Sequence, residues 1–267
     1  MMSSPAIVRP YKLVLSNGAF KSGSTWLREI VLNLRPFEPV PRQYARRSRP
    51  HWVCETRVSQ LLADPELPGP ILSKSHLFLP HVAREVLMHP NVRVINIQRD
   101  LRDAVVSSYY HFLRRRRVRM SFRAYYRTFG RIKVAELCAY HRVWDVDDPK
   151  VLKLHFEDLK LEFAESVRRL AAFLEVEVSR ADISRIHDVT SIARLRQLRG
   201  EASTAEPDRF FRRGAIGDWR DHFTSDDLRD LDRIVEYGLT GAPRILYWGL
   251  NPVRRTLLRA ARRLRLD

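Results

Sequence analysis

Gly18 and Gly23 frame the run Asn17-Gly18-Ala19-Phe20-Lys21-Ser22-Gly23-Ser24-Thr25-Trp26-Leu27. An apolar, strand-like stretch precedes it and a helix-like stretch follows. Small residues at such a turn let backbone N–H groups approach an anion, and the helix N-terminus behind them adds partial positive charge. The four-residue gap between the glycines suits a phosphate-binding loop. A lysine would normally follow the second glycine, but Ser24 stands there. The cation is Lys21, inside the loop. That displacement points away from ATP hydrolysis.

Only seven of the 48 basic residues are lysine. Where arginine is the default cation, a lysine is informative, because an ammonium group can lose its proton and a guanidinium effectively cannot. Lys74 is the second lysine in a motif, Ser73-Lys74-Ser75-His76-Leu77, at the end of a short apolar run. In a strand Lys74 and His76 share one side. Histidine titrates near neutrality, which suits proton abstraction. Arg99 follows another apolar run and offers a planar fork to phosphate oxygens. Ser107 lies two helical turns further on and adds a hydroxyl. Arg212, Arg213 and Gly214 sit in a polar loop, residues 200–222. Loops of that length are usually functional or disordered. Clustered cations repel, so the sequence predicts a loop that opens without an anion and orders with one.

These residues need a scaffold. The patterning predicts strands at 12–15, 70–73, 92–97 and 151–156. It predicts helices at 25–34, 57–63, 80–88, 101–116, 121–144, 161–174, 180–186, 192–198 and 224–236. Strands alternating with helices imply a single α/β domain with a central parallel sheet flanked by helices. Ligands then bind at the carboxyl ends of the strands, where the motifs fall. The domain is expected over residues 1–249, followed by a basic amphipathic tail at 250–267.

The chain has 267 residues, a net charge of +17 and 45% apolar residues. It has no run of about 18 apolar residues, hence no expected membrane-spanning helix. Met1 to Pro10 lacks a signal-peptide core. Cys54 and Cys138 are the only cysteines, too few for a disulfide framework, which suits a reducing cytoplasm. The charge favours anionic partners.

Phe20-Lys21-Ser22-Gly23-Ser24-Thr25-Trp26-Leu27 resembles the Pro-Lys-Ser-Gly-Thr-Thr-Trp-Leu loop of sulfotransferases that use 3′-phosphoadenosine 5′-phosphosulfate (PAPS). Arg99-Asp100-Leu101-Arg102-Asp103 through Ser107-Ser108-Tyr109-Tyr110 resembles the family's Arg-Asp-Pro-Arg-Asp…Ser-Tyr-Tyr segment. Arg212-Arg213-Gly214 and Gly217-Asp218-Trp219 through Thr224 resemble its Arg-Lys-Gly…Gly-Asp-Trp segment. The three strings occur in the family's order. The resemblance is to the cytosolic type, in a bacterial-like form. It implies a P-loop-like nucleotide site made by Lys21, Ser22, Gly23, Ser24, Thr25, Trp26, Arg99, Ser107, Arg212, Arg213 and Gly214. Trp26 and Ile192 match positions that sandwich the adenine, and Thr190 and Ser191 match the pair before it. Phe156 stands where a tyrosine hydroxyl normally bonds the purine.

The resemblance also implies in-line transfer of a sulfuryl group to a hydroxyl or amine. His76 matches the general base. Lys21 would neutralise the leaving oxygen and Lys74 the sulfuryl oxygens, with no metal needed. The acceptor stays open among small-molecule, lipid and glycan classes. Segments 35–70, 114–144 and 238–248 are expected to line its pocket, with Phe37, Tyr44, Trp52, Tyr125, Tyr126, Phe129, Tyr247 and Trp248 beside several arginines. No specific nucleic acid is implied. The tail pattern suits a packed helix or peripheral contact with an anionic membrane. No clear dimer motif follows Thr224, so the oligomeric state is open. Two alternatives remain at this stage: a P-loop nucleotide kinase, and a non-catalytic basic binder of nucleic acid or acidic membrane. The kinase would need Gly-Lys-(Ser/Thr), which Ser24 breaks, and a strand-end aspartate such as Asp100 for magnesium.

Overall fold

The computed structural model describes residues 11–46, 49–53, 55–67, 69–201, 204–205 and 210–239. The expected tail at 250–267, and Tyr247 and Trp248, lie outside the described residues.

The chain opens with strand β1 (Leu13–Gly18) and helix α1 (Ser24–Leu34). A short antiparallel pair follows, β2 (Ala45–Arg46) with β3 (Arg49–Val53), then α2 (Val58–Ala63). Next come β4 (Ile71–Ser75), α3 (Pro80–Met88), β5 (Val92–Gln98) and α4 (Leu101–Arg116). The expected helix over 121–144 is three pieces: α5 (Phe122–Tyr125), a π-helical turn (Tyr126–Gly130) and α6 (Arg131–Trp144). Strand β6 (Val151–His155) leads directly into α7 (Phe156–Leu161) and α8 (Phe163–Phe173), where one helix was expected. Helices α9 (Arg180–Val189), α10 (Ile192–Leu198) and α11 (Ser225–Tyr237) complete the fold.

The main sheet is fully parallel in the order β4-β1-β5-β6. Side-chain alternation sorts its two faces. Leu13 and Leu15 of β1, with Val92 and Val94 of β5, join the core beneath α3, α4 and α6. Val14, Ile95 and Ile97 face the other way and pack on Leu27, Ile30 and Leu170 of α1 and α8. Both faces are covered, so the first halves of β1, β4 and β5 are mostly apolar, and buried polar residues such as Asn17, Lys74 and Asn96 gather toward their carboxyl ends. The order places β1 centrally, with β4 and β5 on either side, and the loop after β1 lies at their shared carboxyl edge. Among the described residues no helix is long and apolar enough to cross a membrane.

Candidate active site

All four strands of the sheet send a residue to this edge. Lys21 follows β1, Lys74 and His76 end β4, Arg99 follows β5 and Phe156 follows β6; all five line one cavity of about 150 Å³. Lys21, Lys74, Arg49, Arg99, Arg114, Arg212 and Arg213 line it, and among the described residues no carboxylate does. Such a gathering of like charges is costly inside a protein and suits an anion.

The loop after β1 is built for close approach. Gly23 takes φ +94°, and a Cβ there would lie 2.7 Å from Phe156 Cδ2. It caps α1, whose first turn has no acidic residue and no side-chain cap. The helix N–H groups are therefore left for a ligand. Ser22 is fully buried and its hydroxyl has no hydrogen-bond partner; neither have Trp26 Nε1 and Arg99 Nε. Ser22 does not itself line the cavity, whereas Lys21, Gly23, Ser24, Thr25 and Trp26 do. Arg99 stacks on Phe156 at 4.3 Å and donates to the Ala215 carbonyl at 2.8 Å. Ser107, Ile192 and Gly214 complete this side. Gly214 takes φ +57°, and a Cβ there would meet Ile192 Cδ1 at 2.4 Å.

Thr190 and Ser191 are not at the cavity wall. Thr190 is buried and donates to the Ile186 carbonyl at 2.7 Å, and Ser191 caps α10 by accepting from Arg194 N at 3.2 Å. Their hydroxyls shape the turn that presents Ile192.

Burial pushes Lys21 down to about 7, assisted by Arg114, Arg99 and Arg212. Burial also brings Lys74 to about 7, with Lys21, Arg49 and Arg28 adding to the effect and Glu29 opposing it. Lys74 Nζ donates to Thr25 Oγ1 and lies 5.0 Å from the Trp52 ring. Burial, then Lys74, lowers His76 to about 3. Its Nδ1 is 2.6 Å from the Gly18 carbonyl. A carbonyl only accepts, so Nδ1 carries the proton and Nε2 keeps a lone pair. A neutral histidine of fixed tautomer suits a general base.

Sequence reasoning missed what holds His76. Asn17, fully buried in β1, accepts at Oδ1 from Ser75 Oγ and from Leu77 N, each at 3.1 Å. The Leu77 carbonyl accepts from Trp144 Nε1 at 2.6 Å. These bonds pin the residues on both sides of His76. The short pair β2–β3 was also missed. It carries Trp52, whose ring lies 5.0 Å from that of His76, and Arg49, 4.4 Å above the Trp52 ring.

The loop at 200–222 differs from the sequence argument. Two of its cations, Arg212 and Arg213, are already neutralised from within. Asp218, 7% exposed, binds Arg212 and also Arg213, the latter at 3.1 Å. Asp103 of α4 accepts from Gly217 N at 2.7 Å and Trp219 N at 3.0 Å, fastening the loop to the fold. Asp100 caps α4 and pairs with Arg102. Among the described residues no group of three or more His, Cys, Asp or Glu side chains converges.

The expected acceptor aromatics divide. Trp52 lines the cavity, while Tyr125 and Phe129 line a neighbouring one. Tyr126 is core, bonded to Asp230 at 3.1 Å; Tyr44 bonds Asp64 at 2.6 Å; Phe37 packs below Arg35 at 5.8 Å.

A family model described as "Sulfotransferase domain" matches residues 14–243. Sulfotransferase 1C2 of Homo sapiens is 25% identical over 241 residues, covering 83% of this chain and 81% of that protein. The fold is similar to that of mouse sulfotransferase SULT7A1 complexed with PAP, with a TM-score of 0.62 and 20% identity over 95% of this chain and 89% of that one. It is also similar to retinol dehydratase in complex with androsterone and inactive cofactor PAP, with a TM-score of 0.60 and 20% identity over 87% of this chain and 81% of that one.

Proposed function

The chain belongs to the sulfotransferase-domain family, and from that premise we propose how its own residues carry out sulfuryl transfer from PAPS. The donor is PAPS and the product nucleotide is adenosine 3′,5′-bisphosphate (PAP). The acceptor is a hydroxyl, or an amine, of a small molecule, lipid or glycan. The observation that carries this reading is the meeting of Lys21, Lys74 and a neutral, Nδ1-protonated His76 in one carboxylate-free cavity.

The residues fit the nucleotide. The open N-terminus of α1 and the loop Lys21 to Thr25 receive the 5′ side. Arg99, with a free buried Nε, receives the 3′-phosphate together with Ser107, Arg212, Arg213 and Gly214. Trp26, Phe156 and Ile192 form the apolar seat for the base. Ser22, Thr190 and Ser191 support these contacts from behind.

His76 Nε2 accepts the proton as the acceptor oxygen attacks sulfur. One S–O bond forms and the S–O bond to the nucleotide breaks, leaving its electron pair on the nucleotide oxygen. Lys21 stabilises that oxygen and Lys74 stabilises the sulfuryl oxygens. Positioning and charge stabilisation supply most of the rate. A reducing cytoplasm suits the buried, unpaired Cys138 thiol.

Calorimetry with PAP and an acceptor panel with labelled PAPS test this. His76→Ala should lower turnover by roughly 10²–10⁴-fold and leave PAP affinity nearly intact. Arg99→Ala should weaken PAP by about 1.5–3 kcal/mol. Near-normal turnover without His76, or PAP binding indifferent to Arg99, would overturn the assignment.

A further inference from the structure

Beyond the cavity just described lies a second, of about 230 Å³. The two share Phe20 and His111. Phe20 bridges them, its ring 5.8 Å from His76 and 5.2 Å from His111. One wall is aromatic: Phe112 and Phe129, 4.7 Å apart, and Tyr125. The π-helical turn Tyr126–Gly130 sets Phe129 in that wall. Such turns recur at functional sites. The lining is also cationic, with Arg115 and Arg116 from the end of α4 and Lys133 from α6.

The only carboxylate in the lining among the described residues, Glu136, is already bound by Lys133. Arg115 and Arg116 are exposed and have no ion-pair partner among the described residues. Arg115 adds its charge to a group that already includes Arg49 and Arg114 beside His111. The negative end of α4 favours cations there, which explains arginines on this helix turn but not their place in the lining of a cavity that shares Phe20 and His111 with the site of transfer. None of the three lies in the nucleotide loops.

Resting on the reading of His76 as the acceptor's base, we propose that the second cavity is an acceptor subsite and that the acceptor is an anionic amphipath. Its hydroxyl reaches His76, its apolar or aromatic body crosses Phe20 and lies on Phe112 and Phe129, and its carboxylate or phosphate pairs with Arg115 and Arg116.

The test uses the full chain saturated with PAP, titrated calorimetrically with 4-hydroxyphenylalkanoates of increasing chain length, their methyl esters, and the matching alkyl phosphates. At least one acid or phosphate should bind about tenfold or more tightly than its ester. The doubly substituted Arg115→Ala, Arg116→Ala protein should lose that preference, while affinity for the esters and for PAP stays within about twofold. The carboxylate and phosphate arms show which anion is preferred. Equal binding of acids and esters, a preference that survives in the variant, or no binding by any acid overturns the subsite and leaves the arginines as helix-end charges. Failure of PAP to bind would instead strike the donor reading, and the subsite would fall with it.

Discussion

Raising the pH from 7 to 9 should weaken PAP binding steeply, because Lys21 must regain its proton to meet the nucleotide and Lys74, close enough to feel the charge of Lys21, also feels the bound polyanion. Lys21 and Lys74 both sit near 7 in the free protein. A bound polyanion returns each toward the ordinary lysine value of about 10.4. The sign follows from linkage. The complex holds more protons than the free site, so affinity is fully present below pH 7 and is lost as pH rises through 7. With a free pKa of 7, one lysine is half protonated at pH 7 and about one part in a hundred at pH 9, so affinity falls about 50-fold through that lysine alone. The second adds to this, less fully, because each lysine's charge is felt by the other. The cations facing them are Arg99, Arg114 and Arg212 for Lys21, and Arg49 and Arg28 for Lys74, with Glu29 opposing. None of these arginines titrates in the window. His76 and His111, both near 3, stay neutral throughout. Nucleotide phosphate, with a second pKa of about 6, is already ionised. Calorimetry at pH 7, 8 and 9 in buffers of different ionisation enthalpy reads the proton uptake directly. Lys21→Arg and Lys74→Arg, which stay charged, should each flatten the profile by up to one proton. Affinity constant from pH 7 to 9, with no buffer dependence of the enthalpy, would refute the argument.

Asn17→Leu should lower the thermal midpoint, since Ser75 Oγ and Leu77 N lose their acceptor and each unsatisfied buried group costs about 1–3 kcal/mol; steady-state rates should fall more than PAP affinity, and an unchanged kcat would release Asn17 from any role in placing His76. Gly214→Ala forces a side chain into a left-handed position against Ile192, at about 1–2 kcal/mol, so PAP affinity measured by calorimetry should drop roughly five- to thirtyfold. Asp218→Asn keeps the shape but loses the charge that binds Arg212 and Arg213; trypsin should then cut near these arginines faster in the free protein, with PAP restoring protection, and equal rates in variant and native chains would show that Asp218 does not hold the loop.

The sheet and its edge were readable because their signals are local. Apolar runs feeding helical patterns mark β1, β4 and β5, and the residues that follow each strand carry unusual types. The split of the helix over 121–144 was not readable, because a π-helical turn keeps the same apolar spacing within one residue. Strands β2 and β3 lack alternation, and β2 has two residues, so nothing periodic announces the hairpin that brings Trp52 and Arg49 to His76. Asn17 reads as an ordinary strand residue. Its role appears only when β4 pairs beside β1 with Asn17 opposite Ser75. Thr190 and Ser191 show the reverse case. Their types suit ligand contact, but neighbouring backbone satisfies both hydroxyls first.

A net charge of +17 would suit almost any anionic partner, so charge alone says little about specificity. What makes the site selective is where the carboxylates are kept. Asp100 and Asp103 are committed to backbone amides at the start of α4 and across to the loop. Asp218 sits behind Arg212 and Arg213, and Asp227 caps α11. None of these lines the cavity, and Asp103 and Asp218 order the loop that carries Arg212 and Arg213 without entering the lining. Among the described residues, the lining then holds lysines and arginines with no carboxylate beside them in the cavity. Lysine at two of those positions, rather than the arginine used nearly everywhere else, lets the empty site shed protons and avoid much of the repulsion that seven fixed charges would impose. Asp103 and Asp218 thus hold residues 212–219 beside a lining whose two lysines gain their full charge when an anion binds.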